Sequence, residues 1–569
     1  MPAAGAPSFR VKIPRVSPGG PAGASGTEAA GGSARPTTDV PGTFITALPP
    51  LAEPSMRELA VRPVNPPYSY SRISYNDRSK EYLYEILEPQ LSAHEMGLVT
   101  HLKSTLTQIL GSETAELSTA DKRAYLRGEA EEYFRSRDVQ LSPLSTERVI
   151  YYLLRDFVGY GPVDSLILDP EVEDISCDGV DVPLFIFHGQ YESMKTNVVF
   201  ADEDSLNSFI VMLGQRCGKA VSVSSPILDG TTPEGHRVQA TYAREITTRG
   251  ASFTIRRFKE RPFTPVDLVL MGSANEEMVA YFWLAAEQGE SVIICGGPAA
   301  GKTSTLNAIA LFIPPTSKIV SIEDTRELNL PHENWIPSLT RGGFGSKNVI
   351  TGKAPGEIDM FDLLAAALRQ RPQYLMVGEV RGAEAFIVFQ AMATGKTCYT
   401  TFHAESVSAM VHRMENPPIS LPRSLVAALN LVLLQKQVKV GTKMTRRVQN
   451  LTEIVGLDPE TNELITNAVY SWNPADDTFL YSGHSYIYER VAISKNWTMR
   501  DMDKEVKRRT EILEYLRWKE SKATRQNPFS HRDVGRVVAS YYKDPQAAVE
   551  DARAEMGKPK AGTSPGPRP

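Results

Sequence analysis

Apolar and polar residues follow two alternating spacings over residues 262–505, and this is the clearest pattern in the chain. Short continuous apolar runs predict buried strands at 291–295, 318–323, 374–378 and 398–402. Between them, apolar residues at helical spacing predict helices at 302–312, 361–370 and 383–392. Strands and helices that alternate in this way predict an α/β domain with a mostly parallel sheet.

A further helix is predicted just before the first of these strands. Ser273 and Glu276 have the spacing of a capping box, apolar residues follow a helical period over 278–286, and Gly289 can end the helix. The strand at 291–295 is therefore expected to have a helix on each side of it in the sequence.

The remaining segments differ in composition and predict a layout around this domain. The N-terminal fifty residues are rich in Gly, Pro and Ala and hold too few large apolar side chains to offset the entropy of ordering. The predicted layout is a disordered tail at 1–60, a small subdomain of strands and helices at 61–140, an α+β domain at 141–261, the α/β domain at 262–505, a charged helical C-terminal extension at 506–556 and a disordered tail at 557–569.

Composition narrows the class of protein. A hydrophobic fraction of 41% and a charged fraction of 23% exclude collagen-like, wholly disordered and polytopic membrane proteins. The net charge of -5 gives no overall attraction to nucleic acid or anionic lipid. The four cysteines lie too far apart in the sequence for paired zinc ligands, and no apolar run suits a signal peptide or a membrane span. We therefore expect a cytoplasmic protein.

The strongest chemical motif lies between the predicted strand at 291–295 and the helix at 302–312. It matches G-x-x-x-x-G-K-[ST], in which small residues let backbone N–H groups surround a phosphate, a lysine reaches the β- and γ-phosphates and a hydroxyl holds Mg²⁺. Since both flanks are as the motif requires, we predict a nucleotide site with Thr303 on the metal. The predicted phosphate-binding residues are Gly296, Gly297, Pro298, Ala299, Ala300, Gly301, Lys302, Thr303 and Ser304.

Polar residues follow three of the other predicted strands. Glu323 and Glu327 follow the second strand, Glu379 follows the third, and His403 follows the fourth. Open α/β sheets bind ligands at this edge, so these residues are candidates for catalysis of phosphoryl transfer. The alternative interpretation is helix capping for the carboxylates and a structural role for the histidine.

Among the carboxylates, topology favours Glu323 as the water-activating base. Its strand directly follows the phosphate-loop helix, so we expect it to lie next to the phosphate-loop strand. Gly378 stands where a Walker B strand usually has its magnesium-binding aspartate, and Glu379 would support Mg²⁺ through water. His403 is a candidate γ-phosphate sensor.

In this order, the motifs resemble those of the secretion and type IV pilus ATPases, the motors of type II and type IV secretion. The family's acidic box is matched at 322–327, its G-E-x-R strand end at 378–381 and its histidine box at 394–403. Upstream segments look most like the archaeal branch, which includes the archaellum and pilus-assembly ATPases. The resemblance covers about residues 66–500. Lys396 stands where the family has the first histidine of the box, and its ammonium group could contact phosphate or a glutamate side chain instead.

The resemblance implies a homo-hexameric ring that hydrolyses ATP with Mg²⁺ between the N-terminal domain and a RecA-like motor domain. The motor would act on a polytopic membrane platform protein of a pilus, archaellum or secretion system, and would be cytoplasmic and peripherally attached to the membrane through its partners. Arginines of the N-terminal domain would contact phosphate; the candidates are Arg237, Arg244, Arg256 and Arg257.

Two other functions stay open. A RecA-like nucleic-acid translocase shares the phosphate loop, but the chain is slightly acidic and lacks a basic stripe interleaved with aromatic residues, so no nucleic acid is expected. A non-hydrolysing nucleotide-binding scaffold is disfavoured by the presence of Glu323, Glu327 and Glu379.

Overall fold

The computed structural model describes residues 44, 48–109, 118–259, 261–343, 348, 352–441, 443–523 and 529–557. The chain divides into two compact units between Phe258 and Lys259. Most of the predicted tail at 1–60 and nearly all of the tail at 557–569 lie outside the described residues.

The first unit is built on one mostly antiparallel sheet with helices packed beside it. Its strands are β1 (Met56–Asn65), β2 (Ser69–Asn76), β3 (Glu81–Leu87), β4 (Val172–Cys177), β5 (Pro183–His188), β6 (Glu192–Val199), β7 (Ile227–Thr231), β8 (Arg237–Thr241) and β9 (Ser252–Arg256). Its helices are α1 (Ala93–Ile109), α2 (Thr119–Ser136), α3 (Pro143–Phe157), α4 (Asp164–Leu168) and α5 (Glu203–Arg216). The strand order is β1-β2-β3-β6-β5-β4-β9-β8-β7.

Two features of this unit differ from the predicted layout. Strand β1 begins at Met56, inside the segment predicted as a disordered tail, because it pairs along its length with β2. Strand β3 pairs with β6, so the predicted subdomain at 61–140 and the predicted domain at 141–261 share one sheet. The hydrogen bond that Tyr84 donates to Asp169 (2.6 Å) also joins the two segments.

The second unit contains the sheet that carries the predicted chemistry. Its strands are β10 (Val292–Gly296), β11 (Ile319–Glu323), β12 (Trp335–Leu339), β13 (Tyr374–Val377), β14 (Thr397–Phe402), β15 (Leu431–Val440), β16 (Lys443–Leu457), β17 (Leu464–Asn473) and β18 (Thr478–Tyr481). The order is β12-β11-β13-β14-β10-β15-β16-β17-β18, parallel from β12 to β15 and antiparallel beyond. The predicted α/β fold class, the four predicted strands and the mostly parallel sheet among them are confirmed.

The helices of this unit cover both faces of the sheet. They are α6 (Pro265–Leu270), α7 (Glu276–Gln288), α8 (Lys302–Ala310), α9 (Met360–Arg369), α10 (Glu384–Ala393), α11 (Val407–Glu415), α12 (Arg423–Val426), α13 (Tyr486–Lys495), α14 (Met499–Ser521), α15 (His531–Lys543) and α16 (Pro545–Glu555). The helices predicted at 302–312, 361–370 and 383–392 are therefore confirmed. Alternate residues of β10 enter different cores, since Ile294 packs with α7 and α8 while Ile293 packs with α10 and α11.

The helix before β10 begins differently from the prediction. Asn275, and not Ser273, is the N-cap of α7, because its side chain accepts a hydrogen bond from the backbone N–H of Met278 (2.9 Å). Gly289 ends this helix as predicted, with the left-handed φ of +75° that glycine adopts without strain.

The C-terminal helices belong to the core of the second unit. Helix α14 begins at Met499, so the predicted boundary between 505 and 506 falls inside a helix. Trp283 of α7 is fully buried against Tyr541 of α15, with ring centroids 4.7 Å apart. Arg509 of α14, 2% exposed, pairs with Glu505 and Glu287. None of the helices within the described residues combines the length and the hydropathy needed to cross a lipid bilayer.

We expect Tyr541→Ala to destabilise the second unit by about 4 kcal/mol, because it removes a buried ring and leaves a cavity against Trp283. Urea unfolding followed by far-UV circular dichroism measures the change. Ile493→Ala is the matched control, since Ile493 is 81% exposed and its truncation should change the free energy of unfolding by less than about 0.5 kcal/mol. Equal midpoints for Tyr541→Ala and wild type would contradict the packing of α15 described above.

Candidate phosphate-binding site

The predicted phosphate loop joins the end of β10 to the start of α8. A β-carbon on Gly296 would lie 2.4 Å from the carbonyl oxygen of Gln435 in β15, so only glycine fits beside this neighbouring backbone. Gly301 takes a φ of +88° and is the N-cap of α8. The loop thus ends at a helix N-terminus, where unpaired backbone N–H groups favour an anion.

Lys302 is the first residue of α8 and is 9% exposed. Its Nζ donates a hydrogen bond to the carbonyl oxygen of Gly297 (3.0 Å) and lies 3.5 Å from Nδ1 of His403. Burial lowers the pKa of Lys302, and the nearby charge of Glu379 opposes this shift. The side chain of Lys302 therefore lies over the loop, with its ammonium group facing the ends of the neighbouring strands.

The ends of β13 and β14 are fixed side by side. Thr401 Oγ1 donates to the carbonyl oxygen of Gly378 (2.7 Å), and the N–H of Val380 donates to the carbonyl oxygen of Thr401 (3.1 Å). As a result, His403 Nε2 lies 2.8 Å from Glu379 Oε1. The predicted position of His403 at the phosphate-loop edge of the sheet is confirmed.

A connected set of polar groups follows from these distances. With the Lys302 ammonium as donor to Nδ1, the proton of the neutral imidazole belongs on Nε2, which lies 2.8 Å from Glu379 Oε1 but is not aligned for a hydrogen bond to it. Burial lowers the pKa of His403, with a further contribution from Lys302, and this favours the neutral form of the ring. Arg381 donates to the second oxygen of Glu379. The order of contacts is Lys302, His403, Glu379 and Arg381.

Glu323 has a different environment from the other carboxylates. It is 2% exposed, and its Oε1 accepts the backbone N–H groups of Glu327 and Leu328, both at 3.0 Å. Within the described residues Oε2 has no hydrogen-bond partner. Burial raises the pKa of Glu323 to about 7, and the charge of Glu327 adds to the rise. Glu323 therefore fixes the chain after β11, while Glu327 itself is exposed.

The expectation that the strand of Glu323 adjoins the phosphate-loop strand is wrong. Strands β13 and β14 lie between β11 and β10, which places β11 roughly 14 Å from β10 at the usual strand spacing. The absence of a side chain at Gly378 is explained by packing, because a β-carbon at this position would lie 3.3 Å from Cγ of Glu323.

Lys396 also lies away from the expected place. It directly precedes β14, whereas His403 directly follows it. A six-residue strand separates these ends by roughly 20 Å. Lys396 is thus at the opposite edge of the sheet from Lys302 and Glu379, so the expected contact with phosphate or glutamate is not available within this unit.

The four candidate arginines of the first unit have different surroundings. Arg237 and Arg256 are directly opposite each other on β8 and β9, and both are exposed. Arg244 pairs with Glu203, and both side chains are exposed. Arg257 donates to the backbone carbonyl oxygens of Asp169 and Val172 and so stabilises its own unit. Only the first two share a face that an anion can reach.

Two residues of the β15–β16 hairpin contact the phosphate loop and carry no sequence motif. Arg446 Nε donates to the carbonyl oxygen of Ala299 (2.9 Å). Gln435 is 2% exposed, and its Nε2 lies 3.3 Å from the position of a β-carbon on Gly301. The pairing register of the hairpin brings these residues to the loop, and a sequence of alternating lysines and glutamines gave no sign of it.

Comparison with known proteins places this site in a family. The family described as "Type II/IV secretion system protein" matches residues 159–540, about two thirds of the chain. An uncharacterized protein of Methanocaldococcus jannaschii is 34% identical over 470 residues, which are 82% of this chain and 82% of the relative. The chain belongs to the type II/IV secretion system protein family.

Two other similar proteins align with a smaller share of this chain. The type IV secretion system protein PtlH of Bordetella pertussis is 28% identical over 280 residues, covering 44% of this chain and 80% of PtlH. The X-ray structure of the Legionella pneumophila ATPase DotB is 20% identical, with a TM-score of 0.36, and covers 57% of this chain and 83% of that chain.

The region that matches the family begins and ends at defined points of the fold. It begins at residue 159, directly after α3, and ends within α15. The matched region contains both the phosphate loop and the four candidate arginines. Strands β1 to β3 and helices α1 to α3 precede it and are joined to it through the pairing of β3 with β6.

We expect the stability of the wild type to fall between pH 5 and pH 8 relative to that of Glu323→Gln. A carboxyl whose pKa is about 7 when folded and near its ordinary 4.5 when unfolded holds its proton more tightly in the folded state, so folding loses stability as pH rises through this window. The shift corresponds to a relative change of about 3 kcal/mol. Urea unfolding at several pH values measures it.

Glu327→Gln is the control for this experiment, because Glu327 follows the same strand and is exposed. Removing its charge takes away only a smaller contribution to the raised pKa of Glu323, so its curve of stability against pH should keep most of the fall seen in the wild type. A curve for Glu323→Gln that runs parallel to that of the wild type would show that the Glu323 carboxyl is ionised normally.

Proposed function

We propose that the chain is an ATP-hydrolysing motor of a type IV pilus-like filament or secretion system. The observation that carries this proposal is the contact of Lys302 with His403 and, through it, with Glu379 beside a phosphate loop. A lysine, an imidazole and a carboxylate at one sheet edge can bind phosphate oxygens and orient or deprotonate a water, which is what phosphoryl transfer to water uses.

The residues of the loop fit a nucleoside triphosphate with Mg²⁺. A β-carbon on Gly297 would meet no atom within 4 Å, so the loop is open on that side, and the N-terminus of α8 is available to phosphate oxygens. Lys302 would bind the β- and γ-phosphates, Thr303 would hold the metal, and Glu379 would support it through water. Mg²⁺ would neutralise charge on the phosphates.

Glu327 is the better candidate for the group that orients the attacking water. The raised pKa of Glu323 would suit a base, but its carboxyl is buried and holds two backbone N–H groups with one oxygen, so it is poorly placed to reach the attacking water. Glu327 is exposed, and its charge contributes to the pKa of Lys302, which indicates proximity to the phosphate-binding groups.

Arg237 and Arg256 support a second set of phosphate contacts. Like charges directly opposite each other on paired strands repel; Asp229 Oδ1, 3.7 Å from Nε of Arg237, offsets part of this repulsion, and an anion held between the two arginines would offset more. In a homo-hexameric ring this pair would stabilise charge on the transferring phosphoryl group. The relatives named for type IV secretion support a membrane platform protein as the partner, with the motor peripherally attached on the cytoplasmic side.

The direct test is ATP turnover by the purified protein with Mg²⁺ over a range of protein concentrations. We expect turnover that rises with oligomer formation and falls at least about a hundredfold in Lys302→Ala, because the lysine stabilises charge that develops on the phosphates. DNA and lipid vesicles are added in separate reactions. Stimulation by DNA would favour a nucleic-acid translocase, and binding of ATP without turnover would favour a scaffold.

A second prediction separates the two carboxylates after β11. Glu327→Gln should bind ATP with unchanged affinity and lose turnover by about a hundredfold or more, since general-base assistance contributes a factor of this size. Glu323→Gln keeps the oxygen that accepts the two backbone N–H groups and should lose less than about tenfold. Nucleotide affinity from calorimetry and turnover from phosphate release measure the pair, and the reverse order would return the role of base to Glu323.

A further inference from the structure

The interior of the phosphate loop is held in a conformation that its sequence disfavours. Ala299 has a φ of +56°, in the left-handed region where an L-residue with a β-carbon is strained and glycine is not. The loop therefore needs a contact that keeps the peptide of Ala299 in place. Within the loop itself, the hydrogen bond from Ala300 N–H to Gly297 O is long, at 3.4 Å.

Arg446 supplies such a contact from outside the loop. Its Nε donates to the carbonyl oxygen of Ala299 at 2.9 Å, and its Cδ lies 3.0 Å from the position of a β-carbon on Gly301. The side chain thus bonds to one left-handed residue of the loop and packs against the other. Its charge strengthens the hydrogen bond over one between neutral groups.

The position of Arg446 separates this contact from the catalytic groups. The strands that end at Glu379 and His403 lie on one side of β10, whereas β15 and β16 lie on the other. Gln435, which pairs with Gly296 in the sheet, is buried beneath the same side of the loop. The hairpin therefore contacts the loop without using any of the groups assigned to phosphate chemistry.

We propose that Arg446 is a positioning residue that holds Ala299 in its left-handed conformation and so keeps the phosphate loop ready for nucleotide. This inference rests on the proposed nucleotide-binding function of the loop. Arg446 acts on the nucleotide through the Ala299 peptide, and its loss should matter only while residue 299 carries a β-carbon. Glycine at 299 adopts the required φ without strain, so Ala299→Gly should make Arg446 largely dispensable.

The test is a double-mutant cycle on ADP affinity, measured by calorimetry with Mg²⁺. Arg446→Ala should raise the dissociation constant of ADP about tenfold, the size expected when a charge-assisted hydrogen bond is lost. In the Ala299→Gly background the same substitution should raise it less than about threefold. Lys439→Ala removes the same charge from an exposed site of the hairpin and should leave the affinity unchanged. Far-UV circular dichroism checks that each variant is folded.

The outcomes distinguish this inference from the proposed function. A tenfold loss in both backgrounds would overturn it and indicate that Arg446 contacts the nucleotide directly. An Arg446→Ala variant that binds ADP as tightly as the wild type would overturn this inference but not the proposed function, provided that the wild type binds ADP and Lys302→Ala does not. A wild type that binds no ADP would overturn the proposed function and this inference together.

Discussion

Parallel pairing of β13, β14 and β10 is the constraint on which the site depends. Val377, the last residue of β13, is level with Thr400 of β14, and Phe402, the last residue of β14, is level with Cys295 of β10, so β13 ends two residues before β14. Glu379, two residues after β13, and His403, directly after β14, therefore reach the same edge of the sheet as the phosphate loop, which begins at the end of β10. A shift of one residue in either register would turn these side chains to the other face and separate Lys302 from His403.

Burial shifts the pKa values of the ionisable groups in the site and makes their charged forms less stable than they would be in water. The same loss of water lowers the pKa of Lys302 and His403 and raises that of Glu323. Each group is thus less stable in its charged form than it would be in water, and the surrounding packing offsets that cost. Ordered polar groups in a poorly hydrated site interact strongly with new charge, which is the property that phosphoryl transfer uses.

The sequence was sufficient where chemistry depends on neighbours along the chain. Residues 296–303 identified the loop because strand, glycines, lysine and helix are consecutive, and the position of His403 followed from its place after a strand. Strand order was beyond such reasoning, since β11 follows α8 in the chain but is separated from β10 in the sheet by β13 and β14. The expected place of Glu323 beside the phosphate-loop strand was wrong for this reason, and the contact left open for Lys396 depends on which end of β14 that residue occupies. Arg446 was missed because only tertiary pairing brings it to Ala299.

Two consecutive arginines connect the phosphate loop to the rest of the second unit. Successive residues of a strand point to opposite faces, so Arg446 reaches Ala299 while Arg447 is buried on the other side of β16. Arg447 donates to the carbonyl oxygen of Met271 (3.0 Å) and pairs with Asp477. A change in the loop that displaced Arg446 would therefore act on a strand fixed at the next residue to the end of α6 and to the β17–β18 turn. In the proposed motor, a change of nucleotide state that displaced Arg446 would act through this short connection on α6 and the β17–β18 turn.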